Sequence, residues 1–263
     1  MDPSELNRAH WDALAAVHGQ DAYYDAEALV SGRDSLNEYE SAAVGDVTGL
    51  DVLHLQCHIG FDSISLARRG ARVTGADFSP RSLAAAAELA ERAGVSVDWV
   101  EANAMDLPSA LHGRFDVVYS TAGVLGWIAD IDAWMRSVHA ALKPGGRLVL
   151  VEIHPIFVMI ASLDPLVLDF PYAFDGGRAF DEPGSYADPD ADVAATKTVE
   201  FGHSLGEVVT AAIDAGLRVD ALLEHMDTVR DWRGMLTPED DGRCRLRVGG
   251  EILPQSYTLR ASR

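Results

Sequence analysis

Three observations in the sequence predict a three-layer α/β sandwich on a mostly parallel sheet. From residue 50 onward, short apolar runs rich in β-branched residues alternate with helical patterns, as chained βαβ units require. Runs such as Leu148 to Val151 are apolar without alternation, which suits strands buried on both faces. The chain has 263 residues, 48% of them hydrophobic, enough for one large domain that buries about 70–75% of the unfolded chain's surface.

The elements follow in order. Residues 4–18 read as an amphipathic helix, and 22–40 as an irregular segment leading into another. Residues 1–44 thus form an N-terminal helical cap on a domain spanning 45–263. The first strand is residues 51–56; a tight turn holding Gly60 leads into a helix over 62–69, whose early Asp62 favours a helix N-terminus. The second strand, 72–77, ends on an acid. Its helix is announced by Ser79 as cap and Pro80 at the first position, and Gly94 stops it. Residues 97–101 are the third strand and 115–120 the fourth, followed by a helix from about 130 to 142. Lys143-Pro-Gly-Gly146 reads as a turn feeding the fifth strand, 147–153. Residues 155–200 break this rhythm with Pro, Gly and scattered aromatics, and so long an irregular stretch is expected to be a substrate lid. Ser204 caps a helix over 205–215, and two further strands, 218–224 and 252–260, flank a charged segment around 238–242.

Composition excludes several partners. Acidic residues number 41 against 21 basic ones, a formal net charge of −20, and Lys143 and Lys197 are the only lysines. Nucleic-acid binding needs clustered cations, so no nucleic-acid partner is expected. Cys57 and Cys244 make no disulfide framework, no apolar run approaches the roughly 18 residues of a membrane span, and the polar start is no signal peptide; a cytoplasmic setting without membrane contact is expected.

In such sheets ligands bind at the carboxyl ends of the strands, where strand order reverses. The informative residues are therefore Gln56 to Gly60, Asp77 to Ser79, Asn103 to Met105, Ser120 to Ala122 and Glu152 to His154. A dinucleotide site wants G-x-G-x-x-G to seat a pyrophosphate. Here Gln56 and His58 fill the glycine positions, and Asp62 repels phosphate. An amino-acid tail fits this turn better.

The residues that make up this turn and its neighbours resemble a class I S-adenosylmethionine-dependent methyltransferase. The stretch VLHLQCHIGFDSISLARRGARVTGADFSP resembles that family's first motif and the acidic end of its second strand; ANAMDLP, FDVVYSTAGVLGWIADI and LKPGGRLVLVE resemble the next three. The likeness is strong over about residues 45–153 and weaker over 204–260. It departs from the family at His54, Gln56 and His58, an HLQCH variant of the motif. The resemblance implies a Rossmann-like, seven-stranded sheet with the lid inserted after strand five, S-adenosyl-L-methionine as cofactor, and a small-molecule methyl acceptor, in a monomer or homodimer. It further implies that Asp77 binds the ribose, Phe78 lies along the adenine, and Asn103, Ala104 and Met105 frame its edge. Gln56, His58, Gly60 and Ser120 would meet the methionine portion, with Tyr23 or Tyr24 reaching its carboxylate.

Each residue has a plainer reading: Asp77 as a helix cap, Phe78 and Trp127 as packing, Cys57 as buried filler, the lid's nine acids against two bases as a solvated surface. Methyl transfer gains mostly from positioning, and a base is needed only when the acceptor must lose a proton. His154, after strand five, is the first candidate base, with Glu152 orienting it and His203 as a second; a true base supplies about 10²–10⁴ in rate. Trp127, Tyr172 and Tyr186 are expected to line an acceptor pocket. Glu152 and His154 are a lone pair without metal spacing, so no metal is expected. The reading is methyl transfer to nitrogen or oxygen of a small molecule. Its rivals are a cofactor-binding relative acting as a cyclase or binding protein and, more remotely, an RNA methyltransferase.

Overall fold

Burial alternates along the central strands and thereby sorts their side chains onto two faces. Strands β1 (Asp51–Leu55), β4 (Phe115–Thr121) and β5 (Leu142–Ile153) send Val52, Val117, Tyr119 and Val149 to one side and Leu53, Leu55, Val118, Leu148 and Leu150 to the other. Helices α3 (Glu38–Val44) and α4 (Phe61–Arg68) pack on the first face; α6 (Ile131–Ala141) and α8 (Leu205–Asp214) pack on the second. The result is the three-layer, Rossmann-like sandwich. In the computed structural model, which describes residues 2–18, 23–181, 183–229, 231 and 234–263, the sheet also contains β2 (Arg72–Asp77), β3 (Asp98–Glu101), β10 (Arg218–His225) and β14 (Ser256–Ser262), in the order β3-β2-β1-β4-β5-β14-β10. Neighbours are parallel except β14, which runs antiparallel to both β5 and β10. The order reverses between β1 and β4, which places the binding crevice at their carboxyl ends.

The N-terminal helix α1 (Pro3–Leu14) is capped by the Asp2 side chain and ends four residues before the expected His18; the short α2 (Ala26–Val30) follows, and Ala22, where an irregular segment was expected to begin, lies outside the described residues. Helix α5 (Pro80–Ala93) starts on the Ser79 cap with Pro80 at its first position and stops at the left-handed Gly94. Lys143 to Gly146 leaves the ladder as a four-residue excursion inside β5: Phe115 pairs with Leu142, whereas Val117 pairs with Arg147. Lys143 Nζ donates to Asp51 and Asp116 there, at 2.7 and 2.8 Å.

Two regions are more regular than the sequence suggests. Residues 155–200 hold helix α7 (Pro155–Met159), the hairpin β6 (Ile160–Leu163)–β7 (Leu166–Leu168), and the pair β8 (Phe174–Asp181)–β9 (Lys197–Gly202). Its glycines are packing notches as well as breakers. A Cβ on Gly202 would lie 2.3 Å from the Phe174 ring, and one on Gly177 would lie 2.2 Å from Val199. Towards the C-terminus, β11 (Thr237–Pro238), β12 (Cys244–Val248) and β13 (Glu251–Leu253) form a small separate sheet. The strand expected over 252–260 is therefore divided at Pro254 and Gln255 between β13 and β14.

Candidate functional site

The turn after β1 keeps the backbone of a glycine loop without the glycines. Gln56 (φ 59°), His58 (φ 48°) and Gly60 (φ 79°) all lie in the left-handed region, which for the first two is a strain of order 1–2 kcal/mol each. Their side chains offset it. Gln56 donates from Nε2 to the Val124 carbonyl and accepts from Trp134 Nε1, at 3.0 and 2.9 Å, tying the turn to the β4 loop and α6. Gly60 leaves room for protein, since a Cβ there would lie 2.6 Å from Trp99 and 2.8 Å from Ala86. Asp77, at the end of β2, accepts the His58 N–H at 2.8 Å and the Ser79 N–H at 2.9 Å. The Phe78 N–H is a third backbone donor to this carboxylate, whose two oxygens offer about four lone-pair directions. Burial pushes the Asp77 pKa up to about 6 against those N–H bonds.

Beside Asp77, a groove of about 480 Å³ runs between α1 and the ends of β2 and β3. Phe78, Glu101, Ala102 and Asn103 line one wall, and Ser4, Glu5 and Arg8 the other. Asn103 Oδ1 accepts the Met105 N–H at 2.9 Å, which holds this wall in shape; Ala104 is buried and Met105 packs against the core rather than lining the groove.

On the β4 side, Ser120 is buried and donates to the Leu55 carbonyl at 2.9 Å, so its hydroxyl braces β1 against β4. Glu152 accepts the N–H groups of Gly123, Val124 and Leu125 as well as that of Ile153. Burial raises its pKa while those four donors oppose the rise. Glu152 therefore shapes the loop that follows β4 and does not orient His154 as expected. That loop delivers Trp127, stacked on His10 with centroids 6.1 Å apart and meeting Trp11 edge-on at 5.2 Å.

His154 is 1% exposed, and both its ring nitrogens are engaged: Nδ1 accepts the Ile156 N–H at 3.1 Å as the cap of α7, and Nε2 donates to Glu224 at 3.0 Å. Burial lowers its pKa, with Glu224 opposing. This geometry contradicts a general-base role, because no lone pair is left to take a proton. His203 Nε2 donates to the Ile128 carbonyl at 2.7 Å, an equally internal bond. Tyr172 is exposed. Around the end of β10 lies an ion-paired cluster. Arg243 bonds Asp227, Glu38 and the Tyr39 hydroxyl, Arg245 bonds Asp227, Glu239 and Asp241, and Tyr39 stacks on His225 at 3.8 Å.

The residues that enclose the crevice come largely from segments without a recognisable motif. Helix α1 lies across it. The Asn7 side-chain amide exchanges two hydrogen bonds with Val199 of β9, at 2.7 and 2.8 Å, His10 Nδ1 donates to the Ala195 carbonyl at 2.7 Å, and Asp12 accepts from Ser79 Oγ at 2.6 Å. Trp11 stands between the two loops, 4.9 Å from His58 and 5.2 Å from Trp127. His58 in turn bonds His18, His18 bonds Ser185, and the hydroxyls of Tyr24 and Tyr186 bond each other. Residues 7, 10, 11 and 14 share one helical face, and a polar, aromatic stripe there was the available signal. Of the residues expected at the site, the structure gathers His58, Tyr24, Tyr186 and Trp127 around the crevice and Phe78 and Asn103 along the groove; it sets His154, Glu152 and His203 into internal bonds.

Residues 52–146 match a family described as a methyltransferase domain. Over 101 residues the chain is 40% identical to a ubiquinone biosynthesis O-methyltransferase of Cereibacter sphaeroides, covering 38% of this chain and 40% of that protein. Over 117 residues it is 38% identical to a demethylmenaquinone methyltransferase of Lactococcus lactis, covering 43% and 46%. The matches thus span less than half the length of these curated relatives. In fold, an S-adenosylmethionine-dependent methyltransferase from Mesorhizobium loti aligns with 89% of this chain and all of that one, with a TM-score of 0.62 and 22% identity. The cyclase SpnF aligns with 73% of this chain and 60% of its own, with a TM-score of 0.51 and 22% identity. The fold is that of the class I methyltransferases. Among the described residues no group of three or more His, Cys, Asp or Glu is placed to hold a metal ion, and no helix is long and apolar enough to cross a membrane.

Proposed function

We propose that this chain is a methyltransferase that uses S-adenosyl-L-methionine to methylate oxygen or nitrogen of a small molecule. One observation carries the reading: the turn after β1 holds a glycine-loop backbone beside a carboxylate at the end of β2, next to a groove lined by Phe78, Ala102 and Asn103. Those residues fit the cofactor. Asp77 would accept from the ribose hydroxyls through its remaining lone pairs, Phe78 and Asn103 would hold the adenine, and the backbone of residues 56–60 would meet the methionine portion. The bound cofactor supplies an activated methyl group. The protein's own residues orient the acceptor, and Trp11, Trp127 and Tyr186 exclude water from the crevice, where positioning can lower the barrier by about 7–11 kcal/mol. The match of residues 52–146 to a methyltransferase domain and the names of the curated relatives support this reading. The net charge of −20 favours a small-molecule acceptor over RNA.

Titration calorimetry with S-adenosylhomocysteine tests it directly. Binding is expected for the wild-type chain, and incubation with methyl-labelled cofactor and a panel of phenols and amines is expected to release S-adenosylhomocysteine. Binding without release for any acceptor class would favour the cyclase or binding-protein reading, for which the SpnF likeness in fold is the specific observation.

A further inference from the structure

Strand β14 carries a buried hydroxyl that makes no hydrogen bond among the described residues, that of Tyr257. The residue is 2% exposed and belongs to the apolar cluster that holds Val124, Leu125 and Ile128 of the loop after β4. In the ladder it stands between two carboxylates, opposite Glu152 on β5 and Glu224 on β10. Cross-strand partners share a face of the sheet, so either acid is a natural acceptor for the phenol. Neither takes it. Glu152 accepts the backbone N–H groups of Gly123, Val124, Leu125 and Ile153, and Glu224 accepts from His154 Nε2 at 3.0 Å.

A buried tyrosine hydroxyl ordinarily finds a partner, because an unbonded polar group withdrawn from water costs free energy. Gln255 Oε1, two residues earlier, is the one fully enclosed side-chain oxygen or nitrogen without a partner among the described residues. The Tyr257 oxygen, equally unbonded, is therefore not enclosed; it lies on the small part of the residue that open space reaches. The strand order places that oxygen. From the turn after β1, where the cofactor's methionine portion would lie, the sheet runs through β4 to β5 and β14, and Tyr257 pairs with the penultimate residue of β5. It thus stands across β4 from the cofactor turn, beside the loop that Glu152 holds, with its ring edge-on to His154 at 6.2 Å. Burial, with the charges of Glu152 and Tyr172 behind it, pushes the Tyr257 pKa well up, so the group keeps its proton. A neutral O–H donor calls for an oxygen lone pair. With both flanking carboxylates already bonded, this place offers nothing to a cationic amine.

We propose that Tyr257 binds the methyl acceptor, its hydroxyl donating a hydrogen bond to an oxygen of a phenol or enol held over the carboxyl ends of β4 and β5. The assignment rests on the methyltransferase reading and narrows it to oxygen-bearing acceptors.

Tyr257→Phe tests it, since it removes the hydroxyl and keeps the ring. With no internal partner lost, the urea midpoint of this variant is expected to equal or exceed that of the wild type. A lower midpoint would reveal a bond within the protein and overturn the assignment. Calorimetric affinity for S-adenosylhomocysteine should be unchanged. With saturating S-adenosylmethionine and a panel of phenols, hydroxyquinones and ring-matched anilines, the wild type is expected to methylate the oxygen acceptors, and Y257F to raise their KM about 3–10-fold, the scale of one neutral hydrogen bond. An unchanged KM for every phenol that the wild type methylates, or transfer to anilines alone or to no member of the panel, would overturn the proposal. Absence of S-adenosylhomocysteine binding in the wild-type chain would instead overturn the methyltransferase reading.

Discussion

Two polar clusters sit at the carboxyl ends of the strands, and they are made of opposite materials. Over β10, Arg243, Arg245 and Arg247 are paired with Glu38, Asp227, Glu239 and Asp241, three cations against four carboxylates, so every named charge has an opposite one beside it. Over β1 and β4, His10, Trp11, His18, Tyr24, His58, Trp127 and Tyr186 form a set of imidazoles, indoles and phenols in ring contact. A closed set of ion pairs has nothing left to offer a ligand and serves to hold the small C-terminal sheet against α3. Neutral donors, acceptors and π-faces can be desolvated without the several kcal/mol that a lone charge costs, and they can still receive a ligand.

The largest expected effect breaks the first cluster. Arg243→Ala leaves Glu38 and the Tyr39 hydroxyl without their cation and Asp227 with Arg245 alone, and should cost about 2–4 kcal/mol of stability in urea unfolding, towards the lower end because Glu38 is half-exposed and Asp227 keeps a partner. Affinity for S-adenosylhomocysteine should be unchanged; a fall in it would erase the division between the clusters.

Glu40 stands between them on α3, accepting from Thr121 Oγ1 and the Asn37 N–H at 2.7 Å each. Burial, with Asp62 adding repulsion, raises its pKa from 4.5 to about 7. The fold therefore favours the protonated acid: its contribution is full below pH 4.5 and is lost as pH rises through 7. Between pH 4.5 and 8 the wild type should lose about 2–3 kcal/mol relative to Glu40→Gln. His54, whose pKa burial lowers from 6.5 to about 3, acts in the opposite direction, losing stability as pH falls below 6.5, and cancels in that comparison. Parallel stability curves for the two proteins would refute the assignment.

On the crevice side, Asp77→Ala should weaken S-adenosylhomocysteine binding by about 1.5–3 kcal/mol, the scale of hydrogen bonds to a charged group. Unchanged calorimetric affinity would remove Asp77 from the proposed site. The smallest effect sharpens the contrast. His154→Ala removes the α7 cap and should cost about 1 kcal/mol of stability with turnover unaffected. A drop of 10²-fold or more in turnover would return His154 to the chemistry.

The five parallel strands and their helices were legible because each carries its own local signal: Ser79-Pro80 and Gly94 bracket α5, and Leu148 to Val151 is apolar throughout. The three small sheets were not; in one of them Gly177 and Gly202 are spelled as breakers and become notches only when β8 meets β9. For the site, strand ends were legible from topology, which brought out Asp77, Phe78, Asn103 and His58. The destination of each side chain was not. His154 follows β5 as a base would, but Glu224, 70 residues away, and the Ile156 N–H claim its nitrogens. His18 and Ser185 are 167 residues apart and belong to no motif. Only folding brings them together.

The Asn7 amide completes the ladder of β9 as a neighbouring strand would, and His10 adds a third bond to the same segment. The N-terminal helix and the lid are therefore mechanically one piece. Asn7 alone makes two of the three bonds that join them, so the cover over the crevice depends on one amide side chain near the start of the sequence.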